Sequence, residues 1–202
     1  MKLTWYGHSC FLAETTDGSV VFDPYSPGSV PGLALPPLTA DAVSCSHGHR
    51  DHGYAAGVTL SGKTPGFTLR TIPCFHDAQR GALRGENRIA VLEAEGLRLV
   101  HLGDLGHPLS AGQQAAVGQP DVLLIPVGGF FTIDAGTAAE VVRALRPRVA
   151  IPMHYRGPGF GYEVIGPVED FTRQFDAVRL WPSNVFDLAE ADAPVVVLKC
   201  PV

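Results

Sequence analysis

Short apolar runs closed by Gly, Pro or Asp dominate this chain, and they predict strands more than helices. The stretch LTWYGHSCFLAET alternates weakly and is rich in aromatic and β-favouring residues. Asp17-Gly18 then supplies a turn, and VVFDPY returns as its partner. DAVSCSH is a short strand, GFTLRTIPCFH a longer one ending at His76. RIAVLEAEGLRLVHLGD reads as two strands around a Glu-Gly turn, ending at Asp104. DVLLIPVGG, VAIPMHY and APVVVLK complete the set. Helical spacing is clear in TAAEVVRALRP, where Ala138, Val141, Val142 and Leu145 share a face. Thr137 and Glu140 have the spacing of a capping box, and Pro147 ends the pattern. PVEDFTRQF predicts a late helix. Hairpins argue against an all-parallel sheet, so the expected class is α/β with mixed sheets.

Composition narrows the picture. The chain has 202 residues, of which 46% are hydrophobic and 17% charged, against roughly 25% charged in ordinary soluble domains. One compact domain spanning 1–202 is expected. The net charge of −5, with no basic run, argues against an extended nucleic-acid surface. No apolar run approaches the roughly 20 residues of a membrane span, and the N-terminus does not read as a signal peptide. The four cysteines show no framework spacing, so a reduced, cytoplasmic protein is expected.

The candidate chemistry lies in SCSHGHRDHGY, which places His47, His49, Asp51 and His52 within six residues. His76, Asp104 and His154 stand at or just after the ends of three later strands. Side chains at such strand ends converge when the strands lie side by side. Neutral imidazole and carboxylate are natural ligands for zinc, and also for manganese or iron. Seven such groups are too many for one tetrahedral ion. They suit two divalent ions sharing a carboxylate.

H-x-H-x-D-H after a short strand, followed by a downstream His, Asp and His, resembles the metallo-β-lactamase superfamily. WYGHSCF, FHDAQRGALRGEN, HLGDLGH, IPVGGFFTID and IPMHY extend the resemblance over nearly the whole chain. They are similar to the branch that includes ascorbate-6-phosphate lactonase-like metal-dependent hydrolases. The resemblance implies a four-layer αββα sandwich of two mixed β-sheets, with a dinuclear site at one edge. It also implies that His47, His49 and His76 bind one ion, that Asp51, His52 and His154 bind the other, and that Asp104 bridges them. The implied reaction is hydrolysis of a phosphoester or of a lactone or similar ester.

Other residues receive roles from their positions. Asp51 would orient the attacking water as well as ligate. His8 is placed near the ions, and His107, on the loop after Asp104, is the expected proton donor. Arg84 is an anion clamp, because guanidinium pairs bidentately with phosphate or carboxylate. Phe131 and Tyr155 are expected to line the substrate pocket, and Asp23 to brace the metal loop. His101 is structural. Cys10, Cys45 and Cys74 each lie two residues from a histidine, which on a strand puts them on the same face as buried packing residues. The substrate is then a small, anionic molecule, and a homo-oligomer could complete the pocket. A non-catalytic sensor on the same fold is the competing reading. A di-iron oxidoreductase is disfavoured by His49, where such relatives carry Glu.

Overall fold

The computed structural model describes residues 1–202 as two packed β-sheets with three α-helices. The smaller sheet contains β1 (Lys2–Trp5), β2 (Phe11–Thr15), β3 (Gly18–Phe22), β5 (Ala42–Ser44) and β13 (Val185–Asp187), in the order β13-β1-β2-β3-β5. The larger contains β7 (Thr68–Phe75), β8 (Glu86–Ala94), β9 (Leu97–His101), β10 (Val122–Pro126), β11 (Val149–Met153), β12 (Val178–Leu180) and β14 (Val195–Val197). Its order is β12-β14-β11-β10-β9-β8-β7. A separate parallel pair joins β4 (Leu38–Ala40) to β6 (Val58–Leu60). Both large sheets are mixed, as expected for an α/β sandwich. No helix is long and apolar enough to cross a membrane.

Chain direction explains where the chemistry gathers. β7 is antiparallel to β8 and β8 to β9, while β9, β10 and β11 are parallel. β7, β9 and β11 therefore run the same way and deliver His76, Asp104 and His154 to one edge. In the smaller sheet β3 and β5 are parallel neighbours, which places Asp23 beside the loop that follows Ser44. The inner faces merge in one continuous core that includes Leu3, Phe11 and Val20 from one sheet and Ile89, Leu99 and Leu124 from the other. His101 joins the sheets. Its ring stacks on Phe22 at 5.3 Å, its Nε2–H donates to the Ser9 carbonyl, and its Nδ1 accepts from the Gly103 amide.

Three elements differ from the sequence pattern. LTWYGHSCFLAET is two strands, because Gly7 and His8 both take left-handed backbone angles (φ 92° and 51°) and reverse the chain. His8 therefore sits at a hairpin tip, outside strand alternation, and the spacing argument for Cys10 does not hold although Cys10 is buried. The turn between β2 and β3 falls on Thr16–Asp17, one residue early. A helix absent from the expectations, α1 (Ala111–Val117), carries a true capping box from Ser110 and Gln113.

The longest helix, α2 (Ala135–Leu145), starts two residues earlier than its spacing suggests. Its cap is Asp134, whose side chain accepts from the Thr137 amide at 2.8 Å; the Thr137–Glu140 box does not form. α2 buries the expected Ala138, Val141, Val142 and Leu145, and ends at Arg146 in the left-handed conformation. α3 (Glu169–Thr172) is a single turn packed on α2. All three helices lie in connections between strands of the larger sheet. Asp134→Ala is expected to cost about 1 kcal/mol in urea unfolding, and Thr137→Ala much less, since only the threonine amide takes part in the cap.

Candidate metal centre

The loop after β5 turns tightly: the His52 and Gly53 amides both donate to the His49 carbonyl. That tight turn lets His47, His49, Asp51 and His52 point to one region although they are close in sequence. The rings of His47 and His49 lie 4.6 Å apart, and those of His47 and His76 4.7 Å apart. Their ligand atoms form one group, His47–His49–His76, lying within 4.8 Å of one another. A second group, under the same limit, contains His8, Asp51, His52 and His154.

Asp104 stands between the groups. Its Oδ2 lies 3.1 Å from His76 Nε2, 3.2 Å from His52 Nε2 and 3.3 Å from His154 Nε2. Two glycines make the approach possible. A Cβ at Gly103 would collide with Ser46 and Asn87, and one at Gly106 with the backbone of His76 and Asp77. The Asn87 side chain accepts from the Asp104 amide and donates to the Leu102 carbonyl, fixing the loop from below.

Imidazole tautomers are set from outside the cluster. Asp23, fully buried, accepts from the Ser46 amide at 2.7 Å, from the Ser46 hydroxyl at 2.6 Å and from His52 Nδ1–H at 2.9 Å. With its proton given to Asp23, the Ser46 hydroxyl accepts from His47 Nδ1–H at 2.9 Å. His76 Nδ1–H donates to the Phe131 carbonyl at 3.1 Å. Each ring is thus left with a lone pair on Nε2, the form in which imidazole binds a metal. One carboxylate, Asp23, orients a ligand in each group.

The cluster fits a cation. His47 Nε2, His52 Nε2, both nitrogens of His8 and of His154, and Asp104 Oδ1 are buried without a hydrogen-bond partner. Their short contacts are not aligned as hydrogen bonds, so they converge on shared points rather than pairing with one another. Buried polar atoms left this way are costly unless something else satisfies them. Burial pushes His47 down to about 3, helped by His52, and His8 down to about 4, helped by His154. Burial also disfavours charge on His52, but Asp104 and Asp23 outweigh it and raise its affinity for a proton. Asp104 is held well below the carboxylate range, the pull of His154 and His52 overcoming burial.

The remaining expected residues divide. Arg84 and Phe131 line a cavity of about 280 Å3 together with His49, Asp51, His76 and Asp104. The Arg84 guanidinium lies 5.7 Å from the Phe131 ring and 6.0 Å from Phe130. His8 is at the centre, its Nε2 3.3 Å from Asp51 Oδ2 and its ring 4.1 Å from His154. Tyr155 is not at the site. It is buried against Trp5 (5.5 Å) and Phe160 (5.9 Å), past the end of β11, where the left-handed backbone of His154 (φ 54°) redirects the chain. The tyrosine of the cavity is Tyr162, from the Gly-rich loop after β11, where no periodicity marks it. Its hydroxyl lies 2.6 Å from the Ser29 carbonyl and 3.2 Å from Asp51 Oδ2, two acceptors for one proton.

His107, the expected proton donor, has both ring nitrogens bonded to backbone groups. Its Nδ1–H donates to the Pro108 carbonyl and its Nε2 accepts from the Phe75 amide, so the ring ties the loop after β9 to the end of β7. Cys74 is buried as expected, accepting from the Asn87 amide group at 3.0 Å. Cys45 is only partly buried and lines an outer cavity, because it lies past the end of β5, where strand alternation no longer applies.

Asp23→Asn keeps the shape of the brace but removes its charge. It is expected to weaken divalent-metal affinity by about 10- to 100-fold, read by titration against a chelator. Ser46→Ala removes the hydroxyl that links Asp23 to His47 but leaves the direct Asp23–His52 bond, and is expected to weaken it less.

Comparison with known proteins accords with this geometry. Residues 2–154 match the family model described as a β-lactamase superfamily domain. A UPF0173 metal-dependent hydrolase of Carboxydothermus hydrogenoformans is 30% identical over 77% of this chain and 84% of its own length. One from Archaeoglobus fulgidus is also 30% identical, over 77% and 83%. A Thermotoga maritima structure assigned to the metallo-β-lactamase superfamily superposes with a TM-score of 0.80, at 35% identity and 98% coverage of both chains. The chain belongs to the metallo-β-lactamase superfamily.

Proposed function

We propose that the protein is a dinuclear metal-dependent hydrolase acting on a small anionic ester, either a phosphoester or a lactone-like compound. The observation that carries the reading is the position of Asp104 Oδ2. A single carboxylate oxygen lies within 3.3 Å of imidazoles from both ligand groups, where a bridging ligand belongs. His47, His49 and His76 would hold one divalent ion, and Asp51, His52 and His154 the other. Zinc suits this N/O donor set, and manganese or iron would also be accepted. When bound, such ions would activate water at neutral pH and polarise the carbonyl or phosphoryl group whose carbon or phosphorus is attacked.

The chain's own residues do the rest. Asp51 is half-buried and kept ionised, its contacts with His8 and His52 outweighing its burial. An ionised carboxylate at the cavity wall can accept a hydrogen bond from water and hold the attacking oxygen in line. Tyr162 holds Asp51 from outside, and its own proton is retained because burial and the Asp51 charge raise its pKa. His8 packs between His52 and His154 and positions Asp51 from the opposite side. Arg84 supplies the positive charge that draws an anionic substrate to the cavity. Phe131 closes the apolar side and excludes water.

The direct test compares hydrolysis of a generic phosphodiester and a generic lactone by protein reloaded with zinc or manganese. At least one is expected to be cleaved well above an apo control. Asp51→Ala is expected to lower turnover by about 10²-fold or more and to reduce metal content measured by elemental analysis, with His47, His49 and His76 still loaded. Asp51→Ala with full metal content and unchanged turnover would overturn the assignment. Absence of any cleavage across a broad ester panel would favour the sensor reading.

A further inference from the structure

A second cavity, of about 720 Å3, opens beside the first and shares His49 and Arg84 with it. The inner cavity, about 280 Å3, is below the usual range for a whole ligand, whereas the outer one lies within it. A substrate larger than the inner cavity, with its reacting group against the ligand cluster, would extend past Arg84 into the outer space.

The outer cavity has a defined chemistry. β8 alternates at this point: Asn87 and Ile89 are buried, while Glu86 and Arg88 face outward into the cavity with Arg84 just before them. None of these three side chains is in an ion pair or side-chain hydrogen bond. Arg98 pairs with Glu93, Arg156 donates to the Ile165 carbonyl, and Arg148 to the Leu188 carbonyl; Arg50, Arg80, Arg146 and Arg179 are also without side-chain partners, but only Arg84 and Arg88 share the wall of this cavity. Two free guanidiniums on the wall of one cavity are ligand-seeking groups, since each offers a fork of donors matched to a carboxylate or phosphoryl oxygen pair.

The cavity is also held rigid. Asp77, buried directly after His76, accepts from the amides of Gln79, Gly81, Leu83 and Arg84 at 2.7 to 3.0 Å. The loop that presents Arg84 is wound around one carboxylate, and its far end runs straight into β8. Arg84 and Arg88 are thus carried by a fixed backbone, which lowers the ordering cost of binding.

We propose that this outer cavity is a subsite for a second anionic group on the substrate, remote from the bond that is cleaved, with Arg88 as its main partner and Arg84 at the junction. Glu86 leaves the trio with one net positive charge. That matches a singly charged group, a carboxylate, better than a doubly charged phosphate. Glu86 would also accept from a hydroxyl beside that carboxylate. The inference rests on the reading of the ligand cluster as the reaction centre.

The test is calorimetric titration of the zinc-loaded protein with propylphosphonate and with ω-carboxyalkylphosphonates of increasing chain length. The phosphonate addresses the metal centre and the carboxylate the outer cavity. At least one carboxylate-bearing compound is expected to bind about tenfold more tightly than propylphosphonate, or about 1.4 kcal/mol. Arg88→Ala, a change at an exposed side chain, is expected to remove that gain and leave propylphosphonate unaffected. Glu86→Gln is expected to increase the gain. If the carboxylate adds nothing at any length, or Arg88→Ala weakens both kinds of ligand equally, the subsite is refuted; absence of binding by every compound refutes it too. If propylphosphonate binds equally well after chelation of the metal, the reading of the metal centre fails instead.

Discussion

The fold depends on how Asp104 is satisfied. This carboxylate is buried, with one oxygen facing three imidazole nitrogens and the other facing no partner. Asp23 is buried beside it and Asp51 half-buried. Three carboxylates and their surrounding imidazoles cannot be withdrawn from water at low cost unless positive charge accompanies them. Bound metal would supply that charge where the unpartnered nitrogens converge. In this respect the metal centre is as much a part of the protein's stability as of its chemistry.

The arrangement works because each sheet contributes one part of the centre. The smaller sheet supplies the His47–His52 loop, Asp23 beside it, and His8 at the β1–β2 reversal. The larger sheet supplies His76, Asp104 and His154 from three strands that run in one direction. The common core that locks the sheets together therefore also sets the distance between the ligand groups. His101, stacked on Phe22 and bonded to Ser9, is a polar rivet in that core immediately beneath Asp104.

Much of the centre is legible in the sequence, for a physical reason. Ligands at strand ends follow apolar runs that are easy to recognise, and three histidines and an aspartate within six residues of one loop are a dense set of metal donors. The division into two ligand sets comes from the resemblance, and the arrangement around Asp104 is compatible with it. The residues that escape a reading of the sequence lie where no period operates. Tyr162 emerges from the Gly-rich loop after β11. Tyr155 adjoins His154 in the chain, which suggests proximity to the metals, but the left-handed backbone of His154 redirects the chain just past β11 and Tyr155 packs on Trp5 and Phe160 instead. His107 is near Asp104 in sequence, but backbone groups claim both of its nitrogens. α1 leaves little trace because Ala111–Val117 has too few large apolar residues to show a face, although Ser110 and Gln113 mark its start.

One turn joins His76 to Arg84. Gly129 and Phe130 both take left-handed backbone angles, φ 66° and 59°. For a phenylalanine this is strained, and the ring gains little from burial, being 62% exposed. The conformation persists because of what it presents. It turns the Phe131 carbonyl onto His76 Nδ1–H, fixing the tautomer of a ligand, and brings both phenyl rings to within about 6 Å of the Arg84 guanidinium. Arg84 is in turn held from the other side by the loop wound on Asp77, which is the residue after His76. His76 and Arg84 are thus positioned by the same two segments. A substitution that relaxed the Phe130 turn would disturb both together, so the strain is better understood as the cost of coupling them than as a defect of the loop.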